Sequence, residues 1–389
     1  MITVGLAGKP NAGKSTFFKA TTMADAEVGN YPFTTIDANR GVAAVRTDCP
    51  CEELDELEGY CGNCREGRRY VPVELIDVAG LVPDAHEGRG LGNQFLDELR
   101  QADVILHVVD ASGGTDEEGE PVEVGEHDPR DDVDFLVHEL EMWIAGILKD
   151  NLNRLVRRSK TPDFELEDAL ADVLTGVGAS EADVQRALRN VELPPVDDWG
   201  DEETEALAQE IRSLSKPVLV VANKVDIAPE EYVKALVDDG AVPVSAESEL
   251  ALRRADEAGV VDYAPGDASF EITGDVSDEQ RAGLERIHEV VEEHGGTGVQ
   301  EALDSAVYDF LRYFTAYPVE NENRWTDGSG NVLPDAFLLR EGSTPRDLAY
   351  TIHSDIGEAY HHAVDGRTKQ RISDSKELEE GDVVKIVTA

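Results

Sequence analysis

Nine residues near the amino terminus, Gly8-Lys9-Pro10-Asn11-Ala12-Gly13-Lys14-Ser15-Thr16, constrain the fold more than any other stretch of the chain. They follow a β-rich run, Ile2 to Ala7, and lead into a helical segment, Lys14 to Thr22, so the pattern G-x-x-x-x-G-K-[ST] falls between a strand and a helix. Its glycines let backbone N–H groups wrap phosphate oxygens, and the helix start behind them favours anions. Gly8, Pro10, Asn11, Ala12, Gly13, Lys14, Ser15 and Thr16 are therefore candidate phosphate-binding residues, with Lys14 bridging the β- and γ-phosphates and Ser15 ligating Mg²⁺. Further strands read at Gly41 to Val45, Tyr70 to Val78, Val104 to Asp110 and Pro217 to Asn223, with a helix at Asn93 to Gln101. Strands alternating with helices predict an α/β fold: a P-loop domain with a mainly parallel sheet and phosphate chemistry at the strands' C-terminal ends.

The alternation stops after Asp110. Residues 113–134 read as an acidic loop, and 135–213 carry apolar residues at helical spacing, Phe135, Leu136, Leu140, Trp143, Ile144, Ile147 and Leu148 among them. The α/β pattern resumes from Pro217 through Val242 to Ser245, and a second helical stretch at 277–316 turns Leu303, Val307, Phe310, Leu311 and Phe314 inward. Near Tyr317-Pro318 the chain changes character, giving short strands around one helix, Thr344 to Ser354. The expected organisation is a nucleotide domain from residues 1–134 and 214–318, a helical insertion over 135–213, and a small α+β module over 319–389.

Three more segments complete a nucleotide site. In Val73-Glu74-Leu75-Ile76-Asp77-Val78-Ala79-Gly80 a hydrophobic strand delivers Asp77 to the magnesium shell, and Gly80 offers its N–H to the γ-phosphate. Asn30-Tyr31-Pro32-Phe33-Thr34-Thr35 supplies adjacent threonines, and a threonine ligating Mg²⁺ only when the γ-phosphate is present makes a switch; Thr35 is the candidate. Asn223-Lys224-Val225-Asp226 ends a buried strand. The Asp226 carboxylate can accept from N1–H and N2–H₂ of guanine, whereas adenine would present it with an acceptor. Ser245-Ala246-Glu247, after the next strand, suits a backbone contact to the guanine carbonyl. GTP and GDP are thus the expected ligands, and Lys14, Thr35, Gly80 and Asn11 the candidate catalytic residues.

Asp and Glu number 82 against 35 Lys and Arg, a formal net charge of −47. The acid runs the whole length, while 41% apolar residues with clear periodicity exclude a disordered chain. Lysine is scarce relative to arginine. A uniformly acidic surface suits a cytoplasm of molar salt, where repulsion is screened within roughly 3 Å. Halophilic adaptation is the expected reading, and any nucleic-acid contact has to come from a local basic patch. Met1-Ile2-Thr3 leads straight into the first strand, and the longest apolar runs are too short to span a membrane, so a cytoplasmic protein without a membrane partner is expected.

Tyr31-Pro32-Phe33-Thr34-Thr35, Asp77-Val78-Ala79-Gly80-Leu81-Val82-Pro83 and Ala85-His86-Glu87-Gly88-Arg89-Gly90-Leu91-Gly92-Asn93 resemble the Obg/YchF group of translation-factor GTPases over most of the chain. The best-known YchF proteins lack the acidic fourth position of N-K-x-D and favour ATP. Asp226 departs from them, and the chain is more similar to an archaeal and eukaryotic YchF-related branch that keeps guanine specificity. Val332-Leu333-Pro334, Leu339 to Ala349 and Gly381-Asp382-Val383-Val384 resemble a TGS domain, a β-grasp fold. The resemblance implies GTP hydrolysis with Mg²⁺ and a ribosome or RNA partner reached through the TGS-like module. Leu81 stands where Ras-like proteins have a water-orienting glutamine. Asn11 occupies the position at which potassium-dependent relatives ligate K⁺, its bland alternative being a loop hydrogen bond; His86 is a weaker substitute for the glutamine.

Cys49-Pro50-Cys51 and Cys61-Gly62-Asn63-Cys64 form a four-thiol set that a tetrahedral Zn²⁺ would fit, the alternative being incidental thiols in an insertion. Arg367, Lys369 and Arg371 alternate in a strand-like run, a basic face suited to phosphate or else a solvated face with salt pairs; His361-His362 reads as surface. Two rivals to the GTPase stay open: a GTP-binding adaptor with negligible turnover, and a P-loop kinase or metabolic NTPase.

Overall fold

The computed structural model describes residues 1–22, 39–54, 61, 64–78 and 98–389. They divide into two compact units, one holding 1–22, 39–41, 74–78 and 98–302, the other 42–54, 61, 64–73 and 303–389.

Strands of the first unit are apolar nearly throughout, as strands covered on both faces must be. β1 (Thr3–Ala7) is buried at every position, and after α1 (Lys14–Thr22) come β2 (Arg40–Asp48), β3 (Cys64–Arg65) and β4 (Arg68–Asp77). β4 contributes its end, Glu74 to Asp77, to this unit, where it pairs in parallel with β1. Beyond β1 the order continues through β5 (Val104–Asp110), β6 (Val218–Asn223) and β7 (Val242–Val244), all parallel. The carboxyl ends of β1, β4, β5 and β6 deliver Ala7, Asp77, Asp110 and Asn223, and Ser245 directly follows β7.

Between β5 and β6 lie α2 (Pro129–Arg158), α3 (Leu166–Leu174), α4 (Glu181–Asn190) and α5 (Asp201–Ser215). They enclose a core that includes Ile144, Leu148, Leu170, Val184 and Ile211. The acidic loop expected over 113–134 stops sooner, because α2 begins at Pro129. Asp128 caps it by accepting from the Arg130 amide, proline suits the first helical position, and Asp131 and Asp132 complement the positive end of the helix. Acidic side chains that read as loop are thus a helix start. The unit also contains α6 (Glu230–Asp238), α7 (Ala246–Glu257), the short hairpin β8 (Val261–Asp262) and β9 (Glu271–Ile272), α8 (Asp278–His294) and α9 (Val299–Asp304).

In the second unit β10 (Tyr313–Val319), β11 (Phe337–Arg340), β12 (Tyr360–Asp365), β13 (Arg371–Ile372) and β14 (Val383–Thr388) form a sheet of order β11-β10-β14-β12-β13. Only β10 and β14 pair in parallel. α10 (Pro345–Ile352) places Leu348 and Ala349 in a core with Phe314, Leu339, Tyr360 and Val384. His353, in extended conformation, ends the expected single helix and α11 (Ser354–Glu358) follows.

The helical stretch does not carry Phe310 and Phe314 inward on one face: a π-helical turn ends at Phe310, which is 43% exposed, and Phe314 lies in β10. Tyr317-Pro318 falls inside β10, where Pro318 pairs with Val384. The run Arg367 to Arg371 is a turn, not a strand. Asp365 Oδ1 accepts from the amides of Arg367 (2.7 Å) and Thr368 (2.8 Å), and Lys369 has φ +60°, so only Arg371 enters β13.

Candidate functional site

The phosphate loop closes tightly around its glycines. Gly8 has φ +143°, and a Cβ there would stand 2.3 Å from the Val108 carbonyl; at Gly13, φ +101°, it would stand 2.2 Å from Asn223 Nδ2. The amides of Thr16 and Phe17 donate to Gly13 O at 3.1 and 3.0 Å and start α1. Lys14 is buried, and its Nζ donates to the carbonyls of Gly8 and Lys9, both at 2.9 Å. Burial pulls the Lys14 pKa down to about 8, with the Asp77 charge pulling the other way. His107, buried in β5, is kept neutral: burial, then the Lys14 and Lys9 charges, hold its pKa near 3.

Ser15 Oγ donates to Asp77 Oδ2 at 3.0 Å. Burial raises the Asp77 carboxyl, and the Ser15 bond and Lys14 charge oppose the rise. A hydroxyl and a carboxylate side by side form the all-oxygen donor set a hard cation takes, so these residues fit Mg²⁺.

Asn223 joins the phosphate loop to the segment after β7. Its Nδ2 donates to Ala12 O at 2.9 Å, and its Oδ1 accepts from the Ala246 amide at 3.1 Å. Ser245 Oγ donates to Asp226 Oδ1 at 2.8 Å, and Ser245 also caps α7 by accepting from Ser248 N. Asp226 and Glu247 are exposed. Lys224, at φ +68°, reaches back 2.8 Å to the fully buried Asp110. Burial pushes the Asp110 carboxyl up, yet hydrogen bonds from Lys224, Ser112 and Thr115 hold it below the usual carboxylate range. Behind this frame the fully buried Glu249 accepts from Arg253 Nε (2.6 Å), Tyr263 OH (2.6 Å) and Thr297 Oγ1 (2.5 Å).

A feature that sequence reading missed lies across the phosphate loop. Lys9, which fills a spacer position of the motif, donates to Thr115 O at 2.8 Å and pairs with Asp132 at 2.7 Å; Asp132 in turn holds His127 at 2.9 Å. Asn11, at φ +60°, donates from Nδ2 to Gly119 O at 2.9 Å. The segment after β5 is thereby pinned to the loop. The one signal available was the aspartate ending a buried strand, Asp110, which organises Ser112 and Thr115.

The structure thus brings together Gly8 to Thr16, Asp77, Asn223 to Asp226 and Ser245 to Glu247. Thr35, Gly80, Leu81, His86 and the Tyr31–Thr35 segment lie outside the described residues. Cys49, Cys51, Cys61 and Cys64 gather in the second unit with all Sγ atoms within 4.8 Å of one another. The basic run is not a free face. Arg367 pairs with Glu53 at 2.5 Å, and Lys369 donates to the carbonyls of Glu322 and Gly366, while Arg371 is exposed. His361 is exposed, as expected. No helix of the described residues is long and apolar enough to cross a membrane.

Three parts of the chain match known families: residues 3–138 match the 50S ribosome-binding GTPase family, 221–321 the Obg-like GTPase YGR210-like, G4 motif-containing domain, and 329–388 the TGS domain. A GTP-binding protein of Methanocaldococcus jannaschii is 45% identical with both chains fully covered. The ribosome-binding ATPase YchF of Bacillus subtilis is 31% identical over 93% of this chain and 87% of its own. The crystal structure of a GTP-binding protein from Pyrococcus horikoshii OT3 superposes with TM-score 0.79 at 38% identity, covering all of both chains. With a P-loop, a G4 segment and a TGS module in one chain, and full-length relatives of the same kind, this protein belongs to the YchF/Obg-like family of GTP-binding P-loop proteins.

Proposed function

We propose that the chain is a Mg²⁺-dependent GTPase that acts as a switch on the ribosome or another RNA-bearing assembly. The observation that carries guanine choice is the Ser245–Asp226 hydrogen bond within the Asn223 frame, which aims a carboxylate from the same rigid piece that holds the phosphate loop. Some relatives are named ATPases, so base choice is the point at issue. A carboxylate at Asp226 accepts two donors from guanine and meets an acceptor in adenine, a mismatch of several kcal/mol when desolvated.

In this reading the first unit handles nucleotide, and the helices from Pro129 to Ser215 form an insertion within it. The second unit, with the module that the sequence placed at 319–389 extended back to include β10, carries partner contacts. Ser15 and Asp77, with Thr35, would hold Mg²⁺, which would supply positive charge against that of the triphosphate. Lys14 gives up its contacts with Gly8 O and Lys9 O for phosphate oxygens and regains full charge. Gly80 N–H orients the γ-phosphate. The Asn11 amide nitrogen is already engaged with Gly119, leaving Oδ1 as the atom for a K⁺ that would replace the missing glutamine. The kinase reading has no support beyond the P-loop; the adaptor reading is favoured by Leu81 alone.

Ribosome association rests on the names of the matching family and the Bacillus relative. It no longer rests on a basic strand, since Arg367 and Lys369 are engaged within the chain. The acidic surface is assigned to work in a cytoplasm of molar salt. Titration calorimetry in molar KCl should give GTP tighter than ATP by about 10³-fold or more, and turnover should be faster in KCl than in NaCl. Equal affinity for the two nucleotides would remove the guanine assignment; GTP binding without turnover in either salt would leave the adaptor.

A further inference from the structure

The four cysteines stand where two short segments meet. Cys49-Pro50-Cys51 follows β2 and opens a 3₁₀ turn, Pro50–Glu53, while Cys61 precedes Cys64 at the start of β3. Backbone bonds hold both segments: Cys49 N donates to Gly67 O at 2.7 Å, Leu54 N to Cys51 O at 3.1 Å and Cys64 N to Cys61 O at 3.4 Å. Cys49 Sγ lies 3.7 Å from Cys61 Sγ, and Cys51 Sγ 3.6 Å from Cys64 Sγ. A disulfide brings two sulfurs to about 2.05 Å. Four sulfurs each about 2.3 Å from a common centre, at the corners of a tetrahedron, are roughly 3.8 Å apart. The two short spacings are close to such edges, and all four sulfurs lie within 4.8 Å of one another.

A second observation comes from Arg69, which is 3% exposed. Its Nη1 lies 3.8 Å from Cys61 Sγ and donates to Leu333 O at 3.0 Å; Nη2 donates to Pro334 O at 3.2 Å, and the guanidinium is 5.9 Å from the Tyr317 ring. Among the described residues no carboxylate pairs with this buried cation. A buried charge needs a counter-charge, and a divalent ion with four thiolates carries two net negative charges.

We propose that Cys49, Cys51, Cys61 and Cys64 hold one structural Zn²⁺, and that Arg69 couples this anionic centre to Leu333 and Pro334. Closed four-sulfur coordination selects zinc in a structural role, with no open position for substrate. Four S–H protons leave to solvent as four Zn–S bonds form. The contacts around the knuckle tell what the metal does. Tyr317 OH donates to Asp48 O at 3.2 Å, Thr47 Oγ1 to Glu380 at 2.7 Å and Arg367 Nε to Glu53 at 2.7 Å. Every one of these anchors lies within five residues of a cysteine in sequence on its 42–73 side, so the ion fixes their spacing and fastens that segment to the TGS module. This assignment is independent of the nucleotide reading.

Full-length protein purified without added metal should contain about one zinc per chain. Titrating the thiols with a mercurial should release that zinc stoichiometrically, and Co²⁺ exchange should give the visible absorption of a tetrahedral four-sulfur site. Cys51→Ser should lose the metal and lower the melting temperature. Should that variant fail to fold, Arg69→Met keeps all four ligands and should bind zinc about 10–100-fold more weakly in chelator competition. Folded, metal-free protein with four freely titrating thiols would overturn the site, as would two disulfides in the intact mass. Iron in place of zinc would overturn the metal's identity, and unchanged zinc affinity in Arg69→Met would overturn the role of Arg69.

Discussion

The nucleotide pocket and the cysteine knuckle both gather polar groups, and they satisfy them in opposite ways. In the pocket Lys14 rests on two carbonyls, Asn223 uses both ends of its amide, and Asp226 already accepts from Ser245. In the knuckle four sulfurs pack against one another beside a buried arginine. A pocket whose groups have internal partners can wait empty without loss of fold. A knuckle whose charge balance depends on an ion makes binding part of folding. Nucleotide removal should therefore leave the first unit standing, whereas zinc removal should loosen the second.

The largest effect that would sharpen this contrast is at Asp226. Asp226→Asn keeps the Oδ1 acceptor for Ser245, so the melting temperature should scarcely move, while preference should shift from GTP toward xanthosine triphosphate by about 10³-fold. Competition binding with the two nucleotides measures it. Unchanged preference would mean that the exposed carboxylate does not touch the base.

A smaller effect probes what keeps the empty pocket in shape. Glu249→Ala strands the buried Arg253 and removes the acceptor of Tyr263 and Thr297, and should cost about 3–5 kcal/mol in urea unfolding. A cost below about 1 kcal/mol would show that the frame behind Ser245 does not depend on this network.

The smallest effect compares two lysines with the same electrostatics. Burial lowers Lys14 and Lys216 alike to a pKa of about 8; Lys216 rests on the carbonyls of Arg100 and Ala102. A folded pKa below the unfolded value of about 10.4 means that the unfolded state holds more protons between the two, so stability rises as pH climbs through that window. Lys216→Met should remove roughly 1–3 kcal/mol of that rise with or without nucleotide. Lys14's share should disappear on adding GDP and Mg²⁺, because phosphate restores its charge. Urea unfolding at pH 7.5, 9 and 10 reads both, and a nucleotide-independent Lys14 share would deny it a phosphate.

The difference between these lysines was legible in the sequence: Lys14 sits in a spacing imposed by the phosphate, and Lys216 in none. The same local rule exposed Asp77, Asn223-Lys224-Val225-Asp226 and the four cysteines, since each set is close in sequence. Long-range partnerships were not legible. Lys9 meets Thr115 and Asn11 meets Gly119 only after the chain has folded, and Arg367 finds Glu53 314 residues away; a loop hydrogen bond and salt pairs were open alternatives for Asn11 and the basic run, but their partners could not be named from the letters. Phe310 and Phe314 misled for a related reason: helical spacing continued in the letters after the backbone had passed through a π turn into β10.

One consequence follows from the 2.2 Å that would separate a Cβ at Gly13 from Asn223 Nδ2. Residues that grip the triphosphate and the amide that braces the base motif interlock, and neither can drift alone. Asp226 is tied to that interlock only through Ser245, and its side chain is exposed at the end of the motif. On the proposed role of Asp226, nucleobase choice becomes a detachable trait, open to change at one surface position while the phosphate loop and the Asn223 brace pass unchanged to descendants.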